Sequence, residues 1–265
     1  MEIPFYFPEP VQEFLAVGGN SFIGLVNKTT VFKYPRTIGD ESAIASLQVE
    51  ARILEAIGPH DRIIWFQGQN GEGLLLEYAP HGSLARYLTE NPTTEQQRLK
   101  WSRQATEAVA VIHNKGVIHC DIKVPNLLLD EELNVKLCDF QGRLLGPDGQ
   151  VLRDGGSSEN PKFFMPRDDP THADIITDIF ALGSTIYHIL EGHEPFPELD
   201  SFADEDEITA RFSSGRYPEL KCASIREVIH NCWSAKYSST TEVLSDVQQL
   251  CGTENQQKMT EAAAT

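Results

Sequence analysis

The stretch His119-Cys120-Asp121-Ile122-Lys123-Val124-Pro125-Asn126, running into Leu127-Leu128-Leu129-Asp130, decides how this chain is read. Alone, an Asp, a Lys and an Asn ahead of an apolar run are ordinary turn residues. Their meaning comes from the flanks. Upstream, from Val11 to about Tyr78, β-branched and aromatic runs alternate with Gly and Asn turns, which predicts short strands at 22–26, 29–34, 62–68 and 74–78. Gln69-Asn70-Gly71-Glu72-Gly73 separates the last two, and its residues tolerate positive φ, so a hairpin is expected there. A helix is expected between the second and third strands, from Glu41 to about Ala56.

After Tyr78 the pattern turns helical, first at Ser83 to Leu88 and then in a longer helix starting near Thr93 or Thr94, where Thr93 with Gln96 suits a capping box. Trp101, Ala105, Ala108, Val109 and Ile112 fall at spacings of three and four and form one apolar face. Asp178 to Leu190 is apolar almost all round, which predicts a buried helix. Strands followed by helices predict an α+β fold of two lobes meeting at a cleft. The expected domain covers 11–252, with an N-lobe of about 11–79, a crossing at 77–82 and a C-lobe of about 83–252. Residues 253–265 have no apolar periodicity and read as a disordered tail.

Charge excludes some partners. With 39 acidic against 22 basic side chains the formal net charge is -17, which opposes nucleic acid and anionic membranes alike. Nothing resembles a secretory leader or a membrane span, so a soluble cytoplasmic protein is expected. Five cysteines, odd in number and without C-x-x-C spacing, suggest neither a disulfide framework nor a zinc site.

The quoted stretch resembles the catalytic loop of protein kinases, and further motifs follow in that family's order from Gly19 to Trp233. The chain is similar to divergent eukaryotic-type kinases, Ser/Thr-like and without the arginine before the catalytic aspartate, as in fungal kinase-like families. The implied fold has a small antiparallel sheet with one helix as N-lobe and a larger, mainly helical C-lobe. Within it, the resemblance makes Asp121 the base that orients the acceptor hydroxyl, Lys123 the cation on the transferring phosphoryl, and Asn126 a metal ligand. Gly19, Ser21, Gly24 and Val26 match the glycine-rich phosphate loop, with Ser21 standing for its second glycine. Lys33 and Glu50 match the strand lysine and its helix partner. Leu76, Glu77 and Ala79 match the hinge that binds the adenine edge, while Val26, Val31 and Leu128 would sandwich the ring. Cys138-Asp139-Phe140-Gln141 matches D-F-G, with Asp139 as the main Mg²⁺ ligand and Gln141 in place of glycine. Asp178 matches an aspartate that braces the catalytic loop, and Cys232-Trp233 a late helix.

The departures carry expectations of their own. Cys120 replaces an arginine that grips an activation-segment phosphate, and a thiol makes no charge-assisted bidentate bond. Arg143 to Leu152 reads as two apolar strands around Pro147-Asp148-Gly149, so a hairpin is expected to order this segment instead. Arg167 replaces the glutamate of A-P-E while its partner position falls near Thr240, which suggests a buried ion pair absent at both ends. Asn160 sits near a threonine of hydroxyl-specific kinases, a place that Ser157 or Ser158 would take if the loop is offset. The resemblance implies ATP, Mg²⁺ and a protein substrate, with Ser/Thr transfer by a monomer. Two other readings stay open: a pseudokinase acting as a binding module, and a small-molecule kinase of the aminoglycoside-phosphotransferase type.

Overall fold

The computed structural model describes residues 6–156 and 159–250. Cys251 and the expected tail lie outside them, as do Ser157 and Ser158. Before residue 78 the chain forms β1 (Glu13–Val17), β2 (Ser21–Asn27), β3 (Thr30–Pro35), β4 (Phe66–Asn70) and β5 (Gly73–Glu77). They make one antiparallel sheet in the order β1-β2-β3-β5-β4. The expected β4–β5 hairpin is present, turning at Gly71 with φ 57. The helix α1 (Glu41–Ile57) starts at Asp40, whose side chain accepts from the N–H groups of Ser42 and Ala43, and ends at Gly58 with φ 75. It turns Leu47, Ala51 and Leu54 into the core shared with Val31 and Leu74.

The sheet's outer face has a core of its own. Phe22, Phe32 and Tyr34 are buried there beneath Tyr6, Val11 and Phe14, and the Tyr6 hydroxyl donates to the Pro35 carbonyl at 2.8 Å. Two glycines admit this layer by their lack of a side chain. A Cβ on Gly24 would lie 2.4 Å from Val11, and one on Gly73 would lie 2.3 Å from the Phe32 ring. Every residue of β3 is consequently buried.

The larger lobe is helical, with α2 (Leu84–Glu90), α3 (Glu95–His113), α4 (Ile175–Glu191), α5 (Glu205–Ser213), α6 (Arg226–Trp233) and a last helical stretch over 240–250. The apolar face of α3 is buried as its spacing requires, from Trp101 to Ile112. At Gly183 a Cβ would stand 2.7 Å from the Cβ of Cys232, so the glycine lets α4 and α6 touch. Trp233 Nε1 then donates to Ser184 Oγ at 2.9 Å. Two small sheets lie towards the other lobe: β7 (Leu127–Leu129) with β8 (Val135–Leu137), and β6 (Val117–Ile118) with β9 (Arg143–Leu145) and β10 (Val151–Asp154). The fold is the α+β, bilobed one expected.

Some local expectations are corrected. The capping box is made by Thr94 and Gln97, one residue later than expected, because the Thr93 hydroxyl instead accepts from Arg98 Nε at 2.8 Å. The run at 62–68 is only partly strand. Its first half turns to the other lobe, where Ile63 bridges Leu137 in parallel and the Ile64 N–H donates to the Leu137 carbonyl at 2.9 Å. The ion pair expected to be missing between positions 167 and 240 is missing, but Arg167 has a partner that was not foreseen, Glu159 at 2.6 Å, with both side chains nearly out of solvent. Thr240 is bonded through its hydroxyl to His113 Nδ1 at 2.6 Å. Asn160 is turned towards its own chain, its Oδ1 accepting from the Lys162 N–H at 3.0 Å.

Candidate active site

The quoted stretch follows β6 and ends in a one-turn 3-10 helix, Val124–Asn126, that Pro125 favours by its fixed φ. Its backbone is braced from α4. Asp178, fully buried, accepts from the His119 N–H on Oδ2 at 2.7 Å and from the Cys120 N–H on Oδ1 at 2.9 Å. His113 Nε2 is bonded to the same Oδ2 at 2.9 Å. This grip holds Cys120 at φ 61, a left-handed conformation that a non-glycine side chain seldom adopts. Asp121 is thereby presented to the cleft, 2.7 Å from Lys123 Nζ. Asn126 Nδ2 donates to Asp121 O at 2.9 Å and to its Oδ2 at 3.0 Å, which leaves the Asn126 Oδ1 as an acceptor. Burial pushes the Asp121 carboxyl up, against the opposing pull of Lys123.

Across the cleft, period-two alternation on β3 puts Val31 and Lys33 on the face that α1 covers. Lys33 Nζ lies 2.7 Å from Glu50 Oε2 and 2.6 Å from Asp139 Oδ1, so it joins three distant parts of the chain. Burial opposes the charge on Lys33, yet the two carboxylates outweigh it and the ammonium is held more firmly protonated than usual. Lys33 draws the Asp139 carboxyl below its ordinary value, and burial pushes Glu50 the other way. Asp139 has φ 67. Gln141 is not among the described left-handed residues, so the glycine missing at that position is not required for the turn.

These residues border one cleft of about 1070 Å³, lined also by Gly19, Ser21, Leu76, Glu77, Ala79 and Leu128. The loop joining β1 to β2 is closed by the Gly18 N–H donating to the Ser21 carbonyl at 2.8 Å and tied down by Arg36 Nη1 on the Gly19 carbonyl at 2.9 Å. Gly24 and Val26 are corrections: neither lines the cleft. In the β2–β3 register Ile23 opposes Lys33 and Leu25 opposes Val31, so Gly24 and Val26 fall on the outer face with Val11 and Phe22. Ile23 takes the place expected of Val26, and Leu15, Val17, Ile64 and Cys138 complete the wall. Counting by two from Lys33 across the β2–β3 pair would have found Ile23. Cys138 offers little reactivity, because burial pushes its thiol well up and its Sγ is bonded to the Asn126 carbonyl at 3.3 Å.

Behind the catalytic loop, burial pushes the Glu159 carboxyl up from 4.5 to about 7, despite Arg167 and with help from the negative field of Asp178 and Asp121. A folded-state value above the unfolded one favours folding while the group is protonated. That contribution is complete below 4.5 and is lost as pH rises through about 7. Urea unfolding at pH 5 and pH 8 should therefore show a loss of up to about 3 kcal/mol that Glu159→Gln abolishes; an unchanged pH slope in the variant would refute it.

Fold and cleft together define the bilobed kinase class. The chain belongs to the protein kinase family: the profile described as "Protein kinase domain" matches residues 27–261. "NUAK family SNF1-like kinase 1" of Homo sapiens is 30% identical over 188 residues, covering 69% of this chain and 28% of that protein. "Serine/threonine-protein kinase GIN4" of Saccharomyces cerevisiae is 29% identical over 187 residues, 69% of this chain and 15% of that protein. "Mitogen-activated protein kinase kinase kinase 18" of Arabidopsis thaliana is 32% identical over 198 residues, 67% of this chain and 56% of that protein. The chain thus spans 15% to 56% of the length of these relatives. Among the described residues no helix is long and apolar enough to cross a membrane.

Proposed function

We propose that the protein transfers the terminal phosphoryl group of ATP to serine or threonine hydroxyls of protein substrates, with Mg²⁺. The observation that carries this reading is Lys33 bridging Glu50 and Asp139 opposite Asp121, Lys123 and Asn126 in one cleft. Among the described residues no cluster of three or more His, Cys, Asp or Glu could hold a metal unaided. Mg²⁺ takes one or two protein ligands and completes its shell with phosphate oxygens and water. Asp139 keeps Oδ2 beyond its bond to Lys33, and Asn126 keeps Oδ1, so the donor set fits. Bound there, the ion would neutralise charge between the phosphates.

The chain's own residues supply the rest. Asp121 orients the acceptor hydroxyl and takes its proton, while Lys123, paired with Asp121, offers positive charge to the oxygens of the group in transit. Lys33 holds the phosphates from the other side. Ile23, Val31 and Leu128 give the base an apolar slot at the hinge, where no acceptor for the Ala79 N–H occurs among the described residues. Incubation with labelled Mg-ATP and a generic basic protein acceptor tests this. Wild type should label serine and threonine, and Asp121→Asn should be slower by about a hundredfold. Nucleotide binding without transfer would favour a binding module, and transfer only to small alcohols or amino sugars a small-molecule kinase.

A further inference from the structure

The segment after Asp139 is locked by contacts that its motif does not contain. The Gln141 N–H donates to the Asp139 carbonyl at 3.0 Å, closing a tight turn, and the Gly155 N–H donates to the Gly142 carbonyl at 2.9 Å. Both glycines are imposed by close approach. A Cβ on Gly155 would stand 2.2 Å from the Gln141 carbonyl oxygen, and one on Gly142 would stand 2.0 Å from that of Ile118 and 2.4 Å from that of His119. Backbone from 118–119, 141–142 and 155 is stacked here with no side chain between.

One ion pair closes the stack. In the β9–β10 register Arg143 opposes Asp154, and its Nε lies 2.9 Å from Asp154 Oδ2. Arg143 also donates to the carbonyls of Thr171 at 2.8 Å and Ala173 at 3.4 Å, just ahead of Asp174, the N-cap of α4. The far end of the hairpin turns at Gly149, φ 79, where the Gly146 N–H donates to the Gln150 carbonyl at 2.8 Å. Along its length β9 pairs with β6, and β10 approaches α1, the helix that carries Glu50. The hairpin therefore touches α1, which carries Glu50, and β6, which leads into the catalytic loop, and its first strand follows directly on the turn at Asp139.

We propose that this hairpin, closed by Arg143–Asp154 and by the Gly142–Gly155 contact, is a built-in clamp that positions Asp139 for the proposed reaction, with the Asp154 carboxylate serving where a phosphate on this segment would otherwise be needed. Arg143, Asp154 and Gly155 are positioning residues that act through Gln141 and the turn at Asp139. The clamp rests on the kinase reading for its catalytic readout, and on the fold alone for its effect on Mg²⁺-dependent nucleotide binding.

The test compares Gly155→Ala, Asp154→Ala, Asp154→Glu and, as control, Val151→Ser on the exposed side of the hairpin, each with the full chain. It measures kcat, KM for Mg-ATP, binding of a fluorescent ATP analogue with and without Mg²⁺, and the thermal midpoint. Gly155→Ala must push the Gln141 backbone aside, and is expected to lower kcat about a hundredfold and to abolish the gain in nucleotide binding that Mg²⁺ confers. Asp154→Ala should lower kcat about tenfold with an unchanged midpoint, since a half-exposed ion pair adds little to stability. Asp154→Glu should restore most of the rate, and phosphatase treatment of wild type should leave its rate unchanged. Wild-type kcat and Mg²⁺-dependent binding in both alanine variants would overturn the clamp, as would loss of wild-type activity on phosphatase treatment. Should wild type transfer to no protein acceptor, the kinase reading fails, and the Mg²⁺-dependent binding of the same variants still decides the clamp.

Discussion

Lys33→Met is expected to lower the free energy of unfolding by about 3–5 kcal/mol and to slow phosphoryl transfer by about 10²- to 10³-fold. The first effect comes from Glu50. Its carboxylate is wholly buried, with Lys33 as its counter-charge at 2.7 Å, so the methionine strands an anion out of water. Asp139 contributes less, because 39% of its side chain meets solvent in the cleft. Glu50 would answer by taking up a proton, raising a carboxyl that burial already pushes up. A raised folded-state value favours folding only while the group stays protonated, so the variant's deficit should grow as pH rises above the ordinary carboxyl range. The double variant Lys33→Met/Glu50→Leu removes both charges and should recover most of the stability with none of the activity. Urea midpoints at two pH values, with rates on Mg-ATP, check both halves. A single variant within about 1 kcal/mol of wild type would contradict the buried-pair account.

Asp178→Ala is the second large expectation, a loss of about 3–5 kcal/mol with a fall in rate although the residue touches neither nucleotide nor acceptor. Removing the carboxylate takes the acceptor from the His119 and Cys120 N–H groups and from His113 Nε2 together, in a place closed to water. Cys120 then loses what holds it at φ 61, and Asp121 turns with it. Amide exchange at residues 119–121 should accelerate before the lobes unfold globally, alongside the shift in urea midpoint. Cys120→Gly in the same background relieves the left-handed strain and should return part of the stability. No acceleration at 119–121 would show that Asp178 serves packing alone.

The parts of the site that were legible lie where one element ends and another begins. Lys33, Glu50, Asp121, Lys123, Asn126 and Asp139 are brought into one cleft because each sits at a strand, turn or helix position that short-range spacing determines. The β9–β10 hairpin was legible for the same reason, its Pro-Asp-Gly turn being local chemistry. Faces of the sheet were not. Gly24 and Val26 match a motif by order along the chain, yet the side of β2 they occupy follows from pairing with β3 and from the strap that Val11 lays over the outer face. The partner of Arg167 was hidden in a different way. Glu159 lies eight residues earlier in irregular chain, a separation with no helical or strand periodicity to reveal it.

β3 has a consequence for how the protein tolerates change. Its six residues are all buried, but they serve two separate interiors by turns: Val31 and Lys33 face the cleft, while Phe32 and Tyr34 face the aromatic layer under Tyr6 and Phe14. A substitution scan along Val31, Phe32, Lys33 and Tyr34 should accordingly alternate between two kinds of defect with a period of two residues. Odd positions would impair nucleotide handling in a chain that still carries its strap, and even positions would release the strap from a cleft whose chemistry is intact.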